Sequence, residues 1–589
     1  MGRTRGPVLS VKLPTLRASG ARPAASGRTA PRLCRVPTLL PALALAAVGA
    51  LATPAAAQQY DVLIRGGTVV DGTGAPAFTA DVAIAGDRIV AVARDGIPAE
   101  RARRVINASG LVVAPGFVDA HAHAEGLDTR PLAESFLRQG VTTVIYAADG
   151  GMPWPLGEHI VALEAVGFAP NTAFFAGHNT IRRAVMGNDD RAPTAAELTA
   201  MKERVARAMD EGAIGLSTGL RYTPGTYSAT AEVVELARVA AARGGIYSSH
   251  IRDEGEGVFD AVAEVVRIAR EAGLPANVTH HKLMGQPQWG RAAETLALMD
   301  RARADGLDVT MDQYPYTATS TGTAVLFPTW ALASGQSLRE RLADPEQRAR
   351  IEAEMRAIIL EERGGGELAR IQIASYGANP AWNGLTFADI AAERGAEPTL
   401  DFAVALGQEI QLAGGASGVW HVIDEPDLRR IMVHPWVMVG SDGGFGVPGH
   451  AHPHPRAYGA HARVLARYVR EEGLLTLEEA VRKMTSLPAW RMGQPERGVV
   501  AVGMFADLAV FSAAEVQDRA TFADPHRFSV GVEYVLVNGV EVLRSASLTG
   551  EKPGRVLRRT DPGPYRWTVA ASAPTLPGNG RAPDAARAR

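Results

Sequence analysis

Short apolar runs alternate with helix-like stretches through the middle of this chain. Helical periodicity, with apolar residues every three or four positions, marks stretches such as Thr230–Arg243 and Val258–Ala272. Eight apolar runs read as strands. Their predicted ends are Asp119, Tyr146, Gly177, Ser217, His250, His280, Gln313 and Asp442. Strands that alternate with helices indicate a parallel sheet, and eight of them suffice to close a barrel. The pattern predicts an α/β fold of the (β/α)8 TIM-barrel type.

Both flanks of this region show short β-runs broken by turn signals. Residues 58–113 contain several such runs, and residues 496–560 contain further ones, including Asp507–Phe511. We expect the two flanks to form one small β-sandwich domain, and the barrel to occupy residues 114–495 with an insertion around 331–435. Residues 561–589 are rich in Pro, Ala and Arg and are expected to be a disordered tail.

The first 57 residues resemble a secretory signal. They carry eight basic side chains and no acidic one, and an apolar run from Leu39 to Leu51 precedes Ala55, Ala56 and Ala57. That run is shorter than the roughly 20 residues of a bilayer-spanning helix. We therefore expect cleavage before Gln58, a secreted or periplasmic protein, and no membrane association after cleavage.

Composition narrows the possible chemistry. Without the signal, the formal charge falls from −2 to about −10, which argues against a nucleic-acid partner. The only cysteine of the sequence, Cys34, lies in the signal, so no thiolate remains for catalysis or metal binding. His, Asp, Glu, Ser or Lys must supply the active groups. Nothing in the pattern predicts an oligomeric state.

Four histidines and one aspartate fall where predicted strands end: His121, His123, His250, His280 and Asp442. Side chains at the carboxyl ends of barrel strands converge on one mouth. Alternate residues of a strand share a face, so His121 and His123 can reach one cation together. Imidazole nitrogen with carboxylate oxygen is the ligand mixture of Zn²⁺ and related ions. The sequence therefore predicts a site for one or two Zn²⁺ ions, with Mn²⁺ or Co²⁺ as alternatives.

Two further patterns compete with this interpretation. The stretch Gly449–Pro455 holds three histidines, His450, His452 and His454, among loop residues, and we interpret it as an active-site loop rather than a ligand set. Gly215–Gly219 matches the G-x-S-x-G pattern of serine hydrolases around Ser217. A nucleophile elbow leads directly into a helix, whereas a loop follows here, which disfavours a serine hydrolase.

With these residues in view, the chain from Tyr60 to about Leu543 resembles the amidohydrolase superfamily, and within it the N-acyl-D-amino-acid deacylase (D-aminoacylase) family. The motifs that carry the resemblance are Ala114–His123, Gly140–Thr143, Ser249–Glu254, Thr279–Lys282, Tyr314–Tyr316, Gly440–Gly443 and Gly503–Leu508.

The resemblance implies metal ligation by the four strand-end histidines, and it implies that Asp442 is both a ligand and the proton shuttle. It also implies that Lys282, Tyr314 and Ser320 bind the substrate carboxylate, and we expect Arg252 to be a further substrate-binding residue. Family deacylases carry a metal-bridging cysteine after the Gly-Val-Thr-Thr strand. Counting along this strand places Asp149 there, so we predict that Asp149 is a ligand.

The implied activity is metal-dependent hydrolysis of an amide C–N bond. The expected substrate is a small N-acyl amino acid, in this family the D-enantiomer, which is split into a carboxylate and a free amino acid. A dipeptidase or cyclic-amide hydrolase on the same scaffold remains an alternative, as does a non-catalytic binding protein that retains the fold.

Overall fold

The computed structural model describes residues 58–561, 563 and 565. Their strands are β1 (Tyr60–Val69), β2 (Phe78–Ala85), β3 (Arg88–Ala93), β4 (Ala102–Asn107), β5 (Val112–Pro115), β6 (Phe117–Asp119), β7 (Ala122–His123), β8 (Val141–Tyr146), β9 (Asn171–Phe174), β10 (Ala176–Gly177), β11 (Gly215–Gly219), β12 (Ile246–His250), β13 (Ala276–Val278), β14 (Val309–Gln313), β15 (Thr319–Gly322), β16 (Ile371–Ser375), β17 (Ser417–Trp420), β18 (Val437–Val439), β19 (Gly443–Gly444), β20 (Leu508–Phe511), β21 (Val532–Val537), β22 (Val540–Arg544) and β23 (Ser547–Leu548).

The α-helices are α1 (Glu134–Leu137), α2 (Leu156–Val166), α3 (His178–Met186), α4 (Ala195–Glu211), α5 (Thr230–Ala241), α6 (Val258–Ala272), α7 (Ala292–Ala304), α8 (Leu338–Ala343), α9 (Pro345–Glu361), α10 (Phe387–Glu393), α11 (Leu400–Leu412), α12 (Glu425–Met432), α13 (Arg456–Arg463), α14 (Leu477–Met484) and α15 (Ser486–Arg491). A π-helical stretch, Val464–Glu471, continues α13. Short 3₁₀ segments are Ala99–Arg101, Gly225–Tyr227, Gln286–Gln288, Thr323–Leu326, Thr329–Leu332, Leu368–Arg370 and Pro380–Trp382.

Parallel strands form the predicted barrel. Strands β6, β8 and β9 form one parallel run, and β10, β11, β12, β13, β14 and β18 form a second. Only Phe175 separates β9 from β10, so these two count as one barrel strand. The ring closes where the amide of Ala120 donates to the carbonyl of Val439 at 3.4 Å. The (β/α)8 prediction is confirmed.

The helices cover the barrel because each presents one apolar stripe to the strands. In α6 the buried residues are Val258, Ala261, Val262, Val265, Ile268 and Ala269, which follow the three-to-four spacing of one helix face. The helix ends at Ala272, and the following Gly273 has a φ of 70°, which a residue without Cβ adopts easily. The predicted stretch Val258–Ala272 coincides with α6, and α5 ends two residues before the predicted Arg243.

Three barrel strands end at other residues than predicted. Strand β11 runs on to Gly219, whereas β13 ends at Val278 and β18 at Val439, before the predicted ligands His280 and Asp442. Those two residues have φ of 35° and 50°, in the left-handed region. Extended pairing stops before them for this reason, and both side chains lie on turns just beyond their strands.

The two flanks share one nine-stranded sheet in the order β23-β22-β21-β20-β5-β1-β2-β3, with β4 also paired to β1. The joint is antiparallel, with Val112 of β5 opposite Phe511 of β20. Buried residues from both flanks, among them Ile64, Val113 and Leu508, pack in one cluster. The prediction of a single β-domain from both flanks is confirmed.

The chain segment that connects β14 to β18 forms a separate layer. Strands β15, β17 and β16 form an antiparallel sheet, and α8 to α11 accompany it. A second hydrophobic cluster, which includes Phe327, Ile371 and Trp420, holds this segment together. The layer begins at Thr319, earlier than the predicted 331. The sequence did not indicate β15 because its polar residues show no strand-like apolar pattern.

The predicted signal lies outside the described residues, as does most of the predicted tail. Among residues 58–561, 563 and 565, no helix is both long and apolar enough to span a bilayer.

Candidate metal centre

The barrel mouth gathers the predicted ligands. His121 follows β6 and His123 ends the short strand β7. Asp149 follows β8, His250 ends β12, and His280 and Asp442 follow β13 and β18. The six side chains fall into two groups whose ligand atoms lie within 4.8 Å of one another: His121, His123, Asp149 and Asp442 in the first, and Asp149, His250 and His280 in the second.

In the first group, two carboxylates face two imidazoles. The Nε2 atom of His121 lies 3.2 Å from Oδ2 of Asp149, and Nε2 of His123 lies 3.5 Å from the same oxygen. His123 Nε2 also lies 3.0 Å from Oδ1 of Asp442. This arrangement offers two nitrogen and two oxygen donors at one position.

The second group uses the other oxygen of the same aspartate. Oδ1 of Asp149 lies 3.6 Å from Nε2 of His280 and 4.0 Å from Nδ1 of His250. The two oxygens of Asp149 thus face different groups, so this carboxylate could contact a cation in each of them.

Buried nitrogens without partners indicate what the groups hold. Both ring nitrogens of His121 and both of His250 are buried and have no hydrogen-bond partner among the described residues. Unpaired buried polar atoms are costly, and those in a native fold call for an explanation. Imidazoles and carboxylates at these distances fit zinc or a similar divalent ion.

Protonation in the absence of a cation follows the charges. Burial opposes ionisation of Asp149, but His121 and His280 outweigh it and hold its pKa well below the usual range. Burial also opposes protonation of His121, yet the Asp149 carboxylate raises the pKa of His121 to about 10. For His250 burial dominates and lowers the pKa to about 3. The first group therefore demands positive charge, which either a proton or a metal supplies.

Two buried carboxylates hold the ligands in place, and the sequence analysis assigned neither. Asp312 of β14 accepts the amide of His280 at 2.7 Å and lies 3.6 Å from Nδ1 of His121. Asp119 accepts the amides of His121 at 3.1 Å and Ser441 at 2.8 Å. These bonds fix the left-handed backbone of His280 and the turn before Asp442. Their positions at strand ends were a signal that could have identified both.

A cavity of about 560 Å³ opens over the two groups of predicted ligands. Arg456 lines it, and its Nη1 donates to Oδ2 of Asp442 at 2.7 Å. Its Nη2 donates to the carbonyl of Ser320 at 3.3 Å. Sequence reasoning missed Arg456. The available signal was its position directly after the histidine-rich loop.

That loop, Gly449–Pro455, lies at the cavity. His450 and His454 line the cavity, and the rings of His452 and His454 bond to the carbonyls of Phe522 at 2.7 Å and Ala318 at 3.0 Å. These bonds fix the loop, which agrees with the interpretation of an active-site loop.

The residues expected to bind substrate lie in different surroundings. Ser320 lines the cavity. Tyr314 is buried beneath Arg456, with 4.9 Å between the guanidinium carbon and the ring centre, and its hydroxyl has no partner among the described residues. Lys282 is buried and donates to Glu254 and, at 2.9 Å, to Nδ1 of His280. Its ammonium thus contacts the predicted ligand His280, and Lys282 is not among the residues that line the cavity.

Arg252 corrects the prediction made for it. Its guanidinium donates to Glu264 of α6 at 2.9 Å and to the carbonyls of Thr226 and Ser228, both at 3.0 Å. It lines a separate surface cavity. The chain turns after His250, so the residue two positions later leaves the barrel mouth.

Ser217 has no catalytic environment. Its Oγ donates to the carbonyl of Ala147 at 2.5 Å and accepts the amide of Gly150 at 3.1 Å. The hydroxyl braces the turn that carries Asp149, and a loop rather than a helix follows β11. This geometry argues against the serine-hydrolase alternative.

Comparison with known proteins agrees with this geometry. A family model described as amidohydrolase family matches residues 104–543. The chain is 40% identical over 525 residues to N-acyl-D-glutamate deacylase of Alcaligenes xylosoxydans xylosoxydans, across 85% of this chain and 97% of that protein. It is 37% identical over 528 residues to D-aminoacylase of the same organism, across 85% and 98%. The crystal structure of N-acyl-D-glutamate deacylase from Bordetella bronchiseptica, complexed with zinc and a phosphonate mimic of the tetrahedral intermediate, superposes with a TM-score of 0.72 at 38% identity, across 85% and 100%.

Proposed function

Because this chain belongs to the amidohydrolase family, we propose that it is a metal-dependent deacylase that splits N-acyl-D-amino acids into a carboxylate and a free D-amino acid. The observation that carries the proposal is the hydrogen bond from Arg456 to Asp442, beside the two groups of predicted ligands. It places an anion-binding cation beside the group that can move a proton. A substrate with a carboxylate close to a scissile amide fits this pair.

Arg456 would fix the substrate carboxylate. Guanidinium binds carboxylate through parallel hydrogen bonds, which set both position and orientation. The unpaired hydroxyl of Tyr314 lies next to this guanidinium and can complete the carboxylate site. The adjacent amide would then lie over Asp149 and the four histidines.

Asp442 would handle the proton. Burial opposes its ionisation, but Arg456 and His123 outweigh burial and hold its pKa well below the usual range, so it is a carboxylate at neutral pH. A divalent ion held by the four histidines, Asp149 and Asp442 would lower the pKa of water to roughly 7 and polarise the amide carbonyl. Asp442 would take a proton from the water that adds to the carbonyl carbon and would deliver it to the leaving amine as the C–N bond breaks, the general acid–base role of such a carboxylate.

A substrate screen tests the proposal. N-acetyl-D- and N-acetyl-L-amino acids are compared with dipeptides and cyclic amides on one preparation, and its metal content is measured alongside. We expect release of free D-amino acid, loss of activity with a chelator and recovery with Zn²⁺. Preferential hydrolysis of dipeptides or cyclic amides would favour those alternatives, and binding without turnover would favour a non-catalytic protein.

We also propose that the protein is exported, on the basis of the basic and apolar pattern of residues 1–57. Export through this segment predicts a mature protein that begins at Gln58. Sequencing the amino terminus of the protein from its native host decides between Gln58 and an uncleaved chain.

A further inference from the structure

We propose that the amino-acid side-chain subsite of this cavity takes uncharged side chains and discriminates against a second carboxylate, as in D-glutamate or D-aspartate derivatives. This inference rests on the proposed function and names the substrate class within it. It separates this chain from the D-glutamate deacylase that it resembles.

The position of Arg456 locates the subsite. Its guanidinium bonds to Asp442 on one side and to the carbonyl of Ser320 in β15 on the other. A carboxylate held by Arg456 therefore lies against β15. The carbon that bears the carboxylate also bears the amino-acid side chain, so that side chain starts along the same strand.

The wall formed by this sheet consists of hydroxyl groups and backbone. Ser320 and Thr321 of β15, Ser375 of β16 and Ser417 of β17 all line the cavity. Ser375 and Ser417 are cross-strand partners. Hydroxyl groups both donate and accept hydrogen bonds, so they can satisfy a carboxamide or a hydroxyl group of a substrate.

The wall leads into further space. A second cavity of about 430 Å³ shares Gly322, Ser375 and Ser417 with the first. Gln411 of α11 and the loop residues Gly414 and Gly415 line this second cavity. A side chain of several carbon atoms therefore has room to pass along the wall.

Outside the metal centre, the described lining of the cavity holds no arginine or lysine that is free to pair with a second anion. Among the described residues that line it, Arg456 is the one arginine or lysine, and three carboxylates, Glu125, Asp149 and Asp442, line it as well. Burial and Arg456 hold the pKa of His454 well below its usual range, so that imidazole is neutral. With Arg456 engaged by the α-carboxylate, a side-chain carboxylate would lose water without gaining a cation.

Matched substrate pairs test this directly. N-acetyl-D-glutamine and N-acetyl-D-glutamate have the same shape and differ by one charge, as do the D-asparagine and D-aspartate derivatives. We expect kcat/KM for each amide to exceed that for its acid at least tenfold. Equal or better use of either acid would overturn the inference and leave the proposed deacylase function intact.

Binding to the zinc-loaded Asp442→Asn variant, in which turnover is suppressed, is measured by calorimetry and decides the inference without hydrolysis during the titration. We expect the amide of each pair to bind at least tenfold more tightly. If neither member binds and none is hydrolysed, both the subsite assignment and the proposed function fail.

A variant pair supplies the complementary test. Ser375→Lys places a cation on the wall, and Ser375→Gln adds a neutral side chain of similar length as the matched control. We expect the glutamate-to-glutamine ratio of kcat/KM to rise at least tenfold in Ser375→Lys relative to Ser375→Gln. The same ratio in both variants would overturn the assignment of this wall, and thermal unfolding of each establishes that it is folded.

Discussion

Replacing Asp149 with asparagine preserves the size of the side chain and removes the charge shared by the two ligand groups. In the wild-type protein, one oxygen lies 3.2 Å from Nε2 of His121, and the other lies 3.6 Å from Nε2 of His280. Removing one partner of a buried charged pair costs about 3–5 kcal/mol. Since about 1.4 kcal/mol corresponds to tenfold in affinity, we expect at least about hundredfold weaker metal binding.

The assay measures bound metal by mass spectrometry after equilibration with a series of buffered free Zn²⁺ concentrations. Asp149→Asn should show weaker affinity and fewer ions per chain than the wild type in parallel. Asp128→Asn, a change of the same kind at an exposed residue of a neighbouring loop, serves as the matched control. Unchanged stoichiometry and affinity in Asp149→Asn would mean that Asp149 only shapes the turn before Gly150.

A further variant tests the bridging role through ligand chemistry. Asp149→Cys restores a charged bridge but exchanges a hard oxygen for a soft sulfur. We expect it to recover Zn²⁺ binding relative to Asp149→Asn, while its relative affinity for Mn²⁺ falls below that of the wild type. Identical Mn²⁺-to-Zn²⁺ selectivity in the two charged forms would contradict direct ligation.

Four other predictions follow from the same geometry. Asp442→Asn should lower kcat by about 10²–10⁴-fold in a protein that still folds, because a carboxamide cannot accept the proton; a loss below tenfold would refute the assignment. Arg456→Gln should lower kcat/KM for free-acid substrates at least tenfold more than for their methyl esters, and equal losses would contradict a carboxylate contact. Lys282→Ala should lower metal content, since Glu254 would lose its partner beside His280, whereas unchanged metal with a higher KM would favour direct substrate binding by Lys282. Zn²⁺ uptake near pH 7 should release protons, because the raised pKa of about 10 keeps His121 protonated without metal; calorimetry in buffers of different ionisation enthalpy measures this release, and its absence would refute the reasoning. Protonation of His121 stabilises the metal-free fold fully below pH 6.5, and this stabilisation is lost as the pH rises to 10. The increase in unfolding temperature on adding metal should therefore grow over that pH range.

The convergence of the predicted ligands could be foreseen because hydrophobic runs locate strand ends, and barrel geometry brings strand ends together. His121, His123, His250, His280 and Asp442 needed no knowledge of any contact beyond that rule. The predicted ends of β13 and β18 were two and three residues too late, but this did not affect the prediction of the site. A turn of two or three residues still leaves the side chain at the barrel mouth.

Residues beyond the strand ends followed no such rule. Arg252 and Lys282 each lie two positions after a ligand, where strand alternation predicts a common face. Beyond the last paired residue of a strand, successive side chains no longer alternate between two faces. The Arg252 guanidinium and the Lys282 ammonium instead lie against nearby carboxylates, Glu264 and Glu254 respectively. Arg456 was missed for the converse reason: it lies fourteen residues after Asp442, and only the folded loop brings its guanidinium to that carboxylate.

The pairing of β5 with β20 joins two strands that are synthesised far apart in time. Strand β5 leaves the ribosome about 400 residues before its neighbour β20, which at about 5–20 residues per second is a delay of roughly 20–80 s. Throughout that interval the apolar edge of β5 has no partner and can pair with another nascent chain. The amino-terminal strands therefore cannot complete this sheet until the final strands emerge, and termination before Leu508 yields a product in which β5 lacks its neighbour β20.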